Sequence, residues 1–285
     1  MSERIFVIGA GTVGGGLAHA FRSAGLQLVG VHARSPGDGA TTSGALPRVI
    51  GDANVVLLAV SDSSLGDVCS ELALAASGRH PQLAHGTVVL YTSGSVTPTQ
   101  LGELRTVGCA CGTFHPMMPL AVAEHGAAML RDGWVGIDGD AMACATARRL
   151  AAAIGARTVN IPAGAKPQYH AAAVITSNFP IVLATLAARL LTGIGVDARA
   201  AEQLTQRLML GAVENLRHGS AADLLTTAMA RDDAEVIAAD RAALARDADL
   251  LAVYDALTRA SRSLPRGHTG RVDDPDVGRR GELKG

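Results

Sequence analysis

A glycine-rich turn near the N-terminus joins an apolar segment to a helix-like run. Residues 4–8 are typical of a short strand, the next six residues spell G-x-G-x-x-G, and residues 17–24 follow with helical periodicity. In this context Gly9 permits a tight turn, Gly11 lets the backbone approach a pyrophosphate, and Gly14 lets the helix pack on the strand. The helix N-terminus binds phosphate. A merely structural turn is the alternative in a chain with 33 glycines. The predicted cofactor-binding residues of this loop are Gly9, Gly11, Thr12, Val13 and Gly14.

The end of the second predicted strand, residues 26–31, indicates which dinucleotide is bound. An NAD site places an acidic residue there to bind the ribose hydroxyls, but here the strand is followed by His-Ala-Arg-Ser, and no carboxylate appears until Asp38. Arg34 and Ser35 suit a 2′-phosphate instead, through a charge-assisted hydrogen bond and a hydroxyl donor. We therefore expect NADP(H) as the cofactor, the alternative being that Arg34 is a solvated loop residue.

Composition excludes several classes of function. The formal net charge is −1, so no basic face for nucleic acid is implied. Apolar residues make up 48% of the chain, but no membrane-length stretch lacks charged or turn residues. The four cysteines and nine histidines lack metal-ligand spacing, so no metal is expected. We expect a soluble, cytoplasmic protein without nucleic-acid or membrane partners.

Strand-like and helix-like segments alternate through the first half of the chain, and helical periodicity dominates from residue 166. This pattern predicts an α/β protein: an N-terminal Rossmann domain with a mostly parallel sheet, followed by an all-α C-terminal domain. The expected boundaries are 1–164 for the first domain and 165–264 for the helical domain, with a disordered tail at 265–285. Further strands are predicted at 54–60, 87–91, 107–114, 134–138 and 157–161, with helices at 63–74 and 140–154.

Polar side chains follow three of the predicted strands. Ser61 and Asp62 end one strand, residues 92–95 (Thr-Ser-Gly-Ser) end the next, and His115 ends the third. Ligands of open parallel sheets bind beyond the carboxyl ends of the strands, so the nicotinamide is expected there. Each group has a structural alternative: a helix cap, a turn, and a strand end held extended by Pro116. The predicted cofactor contacts at these ends are Val60, Ser61 and Ser93.

The first predicted helix of the second half carries a polar stripe. At 100° per residue, Lys166, His170 and Ser177 fall on one narrow face, with Asn178 at its margin. These side chains would make a poor core and a good pocket wall, since buried polar groups need partners. We therefore expect a substrate pocket along this stripe, although a lone histidine is usually structural.

Five motifs carry a resemblance to a known family: residues 9–14, 92–95, 115–117 (His-Pro-Met), 169–178 and 225–233 (LTTAMARDD). Over residues 4–250 the chain resembles bacterial Rossmann-like proteins with a C-terminal domain of unknown function. These belong to the group with a 6-phosphogluconate-dehydrogenase-like helical domain, together with pyrroline-5-carboxylate reductase, ketopantoate reductase and the β-hydroxyacid dehydrogenases. The resemblance implies an NADP-dependent oxidoreductase with an unassigned substrate, and a homodimer formed through the helical domain.

The resemblance also bears on individual residues. In β-hydroxyacid dehydrogenases a lysine and an asparagine four residues later flank the substrate; here His170 follows Lys166 at that distance, and Asn178 comes later. The 225–233 motif departs from the family pattern L-T-G-P followed by R-G-D, and residues 231–233 could complete a neighbouring subunit's pocket. The His-Pro-Met run is also similar to one in prephenate dehydrogenase.

The leading hypothesis is an NADP(H)-dependent reductase of a small carbonyl or imine, acting in the cleft between the two domains. Its expected catalytic residues are His170 as proton donor, Lys166 as alternative donor or carboxylate anchor, Asn178 as hydrogen-bond partner of the reacting oxygen, and His115. The alternatives are a non-catalytic NADP(H)-binding sensor or regulatory protein, a structural dimerisation module with a vestigial cofactor site, and a prephenate-dehydrogenase-like enzyme.

Overall fold

The computed structural model describes residues 2–37, 39–76, 83–118, 128, 130–219 and 233–264. The chain divides into two compact units, Met1–Phe179 and Pro180–Gly285. The first unit contains a mostly parallel sheet and the second is helical, which confirms the predicted fold class. The predicted tail and residues 225–232 of the LTTAMARDD motif lie outside the described residues.

The sheet of the first unit has eight strands in the order β3-β2-β1-β4-β5-β6-β7-β8. The order of the first six is that of a dinucleotide-binding Rossmann sheet. All neighbouring strands pair in parallel except β6 and β7, which are antiparallel. The strands are β1 (Arg4–Ile8), β2 (Gln27–Ala33), β3 (Thr42–Ser43), β4 (Val55–Leu58), β5 (Val88–Tyr91), β6 (Ala110–Pro116), β7 (Trp134–Gly139) and β8 (Arg157–Asn160).

Eight α-helices lie among the described residues. They are α1 (Thr12–Ser23), α2 (Leu65–Ala76), α3 (Gly102–Thr106), α4 (Ala141–Ala153), α5 (Lys166–Gly193), α6 (Ala198–Asn215), α7 (Ala234–Leu244) and α8 (Ala248–Arg262). The N-termini of the last three are capped by Asp197, Asp233 and Asp247, whose carboxylates each accept a backbone N–H from the first turn.

The sheet is buried on both faces because its central strands are apolar at every position. The residues of β4 and β5 are all buried, as parallel strands covered by helices require. One face packs in a cluster that includes Phe21, Phe114 and Leu150, and the other in a cluster with Phe6 and Leu72. Burial of these central strands fixes the polar strand ends in place.

The start of α5, up to Phe179, belongs to the first unit, whereas the rest of α5 and helices α6, α7 and α8 lie in the second. Several large apolar side chains of the second unit are exposed, including Ile181, Ile194 and Leu208. By length and composition alone α5 could span a bilayer, with a mean hydropathy of 1.7 in an 18-residue window of which 6% is buried. One such helix among the described residues does not by itself indicate a membrane protein.

Candidate functional site

The glycine loop, residues 9–14, is shaped by the close approach of backbones. Gly9 has a φ of +108°, and a Cβ there would overlap the carbonyl of Ala59. A Cβ at Gly14 would overlap the carbonyl oxygen of Gly9, so α1 packs tightly on the end of β1. Gly11 faces open space and caps α1 without a side chain, so the first N–H groups of the helix are available. The loop is therefore built to receive an anion.

A cavity of about 540 Å³ lies beside this loop at the carboxyl ends of β1, β2 and β4. Its lining includes four residues of the sequence prediction, Gly9, Arg34, Val60 and Ser61. The Arg34 guanidinium lies 3.4 Å from the Ser64 hydroxyl across the cavity mouth. Ser35, the other residue predicted to bind the 2′-phosphate, is exposed in the loop after β2 and is not among the described residues that line this cavity.

His32, which ends β2 beside Arg34, has a structural role. Its side chain is 4% exposed, and its ring nitrogens lie 3.0 Å from the Thr42 hydroxyl and 3.1 Å from the Gly44 carbonyl oxygen. These bonds hold the short strand β3 against β2. The imidazole therefore shapes the wall of the cavity.

Asp62 organises the polar turn that follows β5. Its carboxylate accepts hydrogen bonds from the Tyr91 hydroxyl at 2.5 Å, the Ser95 hydroxyl at 2.7 Å and the Ser93 hydroxyl at 3.3 Å. Partial burial raises the pKa of Asp62, but these hydrogen bonds and the nearby His170 outweigh that effect and hold the pKa below its usual range. Asp62 is thus a carboxylate that joins the ends of β4 and β5. Helix capping was the alternative reading of Ser61 and Asp62, but Ser61 makes no side-chain cap hydrogen bond.

His115 lies in the last rungs of β6, where it meets α5. Its Nδ1 is 2.7 Å from the hydroxyl oxygen of Tyr169, and the two rings are edge to face with centroids 5.5 Å apart. Burial, with smaller contributions from the charges of Lys166 and His170, lowers the pKa of His115 to about 4. His115 is therefore neutral at physiological pH.

Lys166 lies beneath this pair and is almost completely buried, with 1% of its surface exposed. Its Nζ donates to the Thr113 hydroxyl at 2.5 Å and lies 3.9 Å from an Asp138 carboxylate oxygen. Burial lowers the pKa of Lys166 to about 8, although Asp138 and Asp62 act in the opposite direction. The predicted pocket-wall lysine thus faces the sheet, and its ammonium group acts on the site through its charge.

His170 supplies a polar atom without a partner among the residues that the structure describes. Its Nδ1 is buried and has no hydrogen-bond partner among the described residues. Its charge contributes to the lowered pKa of both Asp62 and His115, so it lies within electrostatic range of both. A buried nitrogen without a partner is a feature that a bound ligand would satisfy.

Only part of the polar stripe predicted along α5 lies at the candidate site. Ser177 donates to the Ala173 carbonyl and to the Asn178 side-chain oxygen. Asn178 is exposed and lies about 12 Å along the helix axis from His170. Among the described residues, Lys166, His170, His115 and Ser93 come together, whereas Asn178 does not join them.

The sequence analysis placed Asp62 among the polar strand ends, with helix capping as its alternative. It gave no role to Tyr169 or to Gly94, although both lie within the motifs at 169–178 and 92–95. Gly94 lies against the His115 ring, since a Cβ there would be 2.8 Å from Cε1 and 2.9 Å from Nε2. One sequence pattern could have indicated this part of the site: Thr113 and His115 are two residues apart in a strand, so their side chains lie on the same face of β6.

Two family models match the chain in succession. A Rossmann-like domain covers residues 2–116, and a domain of unknown function, DUF2520, covers residues 134–261. The chain contains a Rossmann-like domain followed by a DUF2520 domain. Helix α5, with Lys166 and His170, belongs to the DUF2520 region, whereas Asp62, Ser93 and His115 belong to the Rossmann-like region. The comparison with curated protein sequences finds no match.

Solved structures share this architecture over nearly the full chain. A candidate NADP oxidoreductase from Bacteroides fragilis has a TM-score of 0.71 at 19% identity, covering 92% of this chain and 99% of its own. A reductive aminase from Aspergillus terreus, in complex with NADPH and ethyl-5-oxohexanoate, has a TM-score of 0.61 at 19% identity, covering 94% and 96%. A Plasmodium falciparum pyrroline carboxylate reductase with NADP bound has a TM-score of 0.59 at 12% identity, covering 92% and 98%. At these identities the likeness concerns the fold.

Metal-dependent chemistry has no visible site in the part of the chain that the structure describes. No group of three or more His, Cys, Asp or Glu side chains is placed there to hold a metal ion. The described cysteines are all free, and three of them, Cys69, Cys109 and Cys111, are buried.

Proposed function

We propose that this protein is an NADP(H)-dependent oxidoreductase that reduces a small carbonyl or imine. One observation carries the proposal: the anion-binding glycine loop and the cluster of Asp62, His115 and His170 lie along the carboxyl edge of one sheet. A dinucleotide bound at the loop extends across that edge in folds of this kind. Its reactive end would then reach the cluster.

The residues around the 540 Å³ cavity fit such a dinucleotide. The backbone at Gly11 and the first N–H groups of α1 would bind the pyrophosphate. Arg34, with the Ser64 hydroxyl beside it, would bind a 2′-phosphate, which favours NADP(H) over NAD(H). When bound, the cofactor supplies the hydride. The neighbours with bound NADP or NADPH support this choice.

We assign the proton transfer to His170. Its buried, unpartnered Nδ1 and its electrostatic effect on Asp62 and His115 support this assignment. Lys166 is less suited to direct transfer because its Nζ is buried against Thr113. We therefore give Lys166 a positioning and electrostatic role, and leave Asn178 as a substrate contact from a more distant turn of α5.

We further propose that the helical unit pairs two copies of this chain. A groove of about 1000 Å³ between α5 and α6 is lined by apolar side chains such as Ile181 and Leu210, both exposed. A largely apolar surface of this kind is typical of permanent homodimer interfaces. Leu210→Glu on α6, in the lining of this groove, should yield monomers in light scattering, whereas the exposed Met142→Glu on α4 should not. A wild-type monomer would overturn the dimer.

Hydride transfer tests the function directly. The protein would be incubated with NADPH deuterated at C4 and a panel of small aldehydes, 2-oxo acids and cyclic imines, and the products examined by mass spectrometry. Deuterium incorporation is expected with wild type and is expected to fall at least tenfold in His170→Ala, with NADPH affinity measured separately by fluorescence. Absence of NADPH binding would overturn the proposal, and binding without transfer to any panel member would favour the sensor. Full turnover in both His170→Ala and Lys166→Ala would contradict the residue assignment.

A further inference from the structure

The first turn of α5 is docked on two alternate rungs, that is, cross-strand residue pairs, of the antiparallel strands β6 and β7. Thr113 lies opposite Asp138, and His115 lies opposite Gly136, two residues along each strand. The side chains of both pairs lie on the same face of the sheet, because side chains along a strand alternate between faces with a period of two. Lys166 meets the first rung.

Tyr169, three residues later and on the same helix face, meets the second rung. A Cβ at Gly136 would overlap the Tyr169 hydroxyl oxygen, so the glycine provides the space that this hydroxyl occupies. The position of the hydroxyl is therefore fixed by the backbone of β7 on one side and by the His115 ring on the other.

The protonation states of Tyr169 and His115 determine which of them donates the hydrogen bond between them. Burial raises the pKa of Tyr169, so its hydroxyl keeps its proton and donates it. His115 has a pKa lowered to about 4 by burial and by the charges of Lys166 and His170, so its Nδ1 has a lone pair to accept. The single ring proton of His115 is then on Nε2.

The turn at the end of β5 packs closely against the His115 ring. Gly94 belongs to the turn of Ser93 and Ser95, and a Cβ there would lie 2.8 Å from Cε1, 2.9 Å from Nε2 and 3.2 Å from Nδ1 of His115, so the turn covers the face of the imidazole. The hydroxyl groups of that turn are bound to Asp62. His115 thus has Nδ1 engaged by Tyr169, and its Nε2 makes no hydrogen bond to the residues that the structure describes.

We propose that Tyr169 is a positioning residue that holds His115 as its Nε2–H tautomer, and that His115 gives this N–H as a hydrogen bond to the reacting oxygen or nitrogen of the substrate. The inference rests on the proposed reductase function. The two histidines then have different roles: His115 stabilises the negative charge that develops on the substrate, and His170 supplies the proton.

With a carbonyl substrate, the proposed reaction adds a hydride to carbon and a proton to oxygen. As the new C–H bond forms with the hydride and its electron pair, the C=O π pair becomes a lone pair on oxygen. The Nε2–H of His115 stabilises the negative charge that develops there. The proton of His170 then forms the O–H bond and leaves a neutral imidazole.

NMR spectroscopy can determine the tautomer of His115 without any enzymatic turnover. In the ¹⁵N-labelled full chain at neutral pH, long-range ¹H–¹⁵N spectra should show His115 with a protonated Nε2 and an unprotonated Nδ1. Tyr169→Phe keeps the ring but removes the hydroxyl, so His115 should become a mixture of tautomers. Tyr254→Phe, which loses a hydroxyl bond to Asp240 in the helical unit, should leave His115 unchanged. A protonated Nδ1 in wild type, or an unchanged tautomer in Tyr169→Phe, would overturn the inference.

Activity provides the second readout. His115→Ala should lower kcat at least a hundredfold, about the loss seen when an oxyanion donor is removed, and His115→Gln should recover at least part of it through its amide N–H. Tyr169→Phe should lower kcat about tenfold with unchanged NADPH affinity. Full kcat in His115→Ala would overturn the substrate role of this histidine. Absence of hydride transfer in wild type would instead overturn the proposed function, and the tautomer spectra would still decide what Tyr169 does.

Discussion

The hydroxyl of Tyr169 lies 2.7 Å from Nδ1 of His115, although 54 positions separate the two residues in the chain. The bond joins the first turn of α5 to the last rungs of β6, which come from the DUF2520 region and the Rossmann-like region respectively. Within the first unit it therefore couples the geometry of the candidate site to the docking of α5 on the sheet.

Gly94→Ala should damage the site without unfolding the protein. The added Cβ would lie 2.8 Å from Cε1 of His115 and would displace the imidazole from the turn. We expect hydride transfer to fall at least tenfold and the His115 ring signals to shift. Gly102→Ala, whose Cβ would meet no atom within 4 Å, is the matched control and should behave as wild type. Equal activity of the two variants would contradict the placement of His115.

Gly136→Ala should reduce stability, because its Cβ and the Tyr169 hydroxyl would occupy the same space. Overpacking of this kind costs about 1–3 kcal/mol. The free energy of unfolding in urea measures the loss. Gly211→Ala on α6, which has open space around it, should be neutral or slightly stabilising. A fully stable Gly136→Ala variant would show that α5 docks differently.

Lys166→Met should change how stability depends on pH. The pKa of Lys166 is lowered from 10.5 to about 8 in the folded chain, so between these values the unfolded state binds more protons. The stability of wild type relative to Lys166→Met should therefore rise as pH increases from about 8 to about 10.5, by about 3 kcal/mol. Urea unfolding of both proteins across this range measures the difference. A constant difference would mean that the lysine is not buried as an ammonium ion.

Arg34→Ala should weaken NADPH binding and leave NADH binding nearly unchanged. A charge-assisted hydrogen bond to a 2′-phosphate contributes about 1.5–3 kcal/mol, which corresponds to roughly a 10- to 100-fold change in Kd. Fluorescence titration with each cofactor measures the ratio. Arg22→Ala, at the far end of α1, is the control and should leave both affinities unchanged. Equal weakening of NADPH and NADH would contradict a 2′-phosphate contact.

Much of the fold was predictable because local patterns determine it. Strand β1 has the predicted bounds, and the apolar segment at 54–60 contains the buried strand β4. Strand β3 was missed because two residues carry no pattern. The predicted strand at 107–114 begins later, at Ala110, because Gly108 has a φ of +86° and forms a turn.

The candidate site was less predictable because it depends on which strands are neighbours. The antiparallel direction of β7 brings Asp138 opposite Thr113, and no local pattern reports that pairing. Lys166 and His170 looked alike in a helical projection, yet one is buried against the sheet and the other has an unpartnered nitrogen. Proximity in sequence therefore identified the right helix but not the separate roles of its residues.

A crystal structure with NADP⁺ bound would show whether the cofactor joins the glycine loop to the two histidines. We expect the pyrophosphate on the N–H groups after Gly11, the 2′-phosphate at Arg34, and the nicotinamide C4 beside the Ser93 turn, within reach of His115 and His170. A nicotinamide directed away from these histidines, or a protein that binds no NADP⁺ at millimolar concentration, would contradict this expectation.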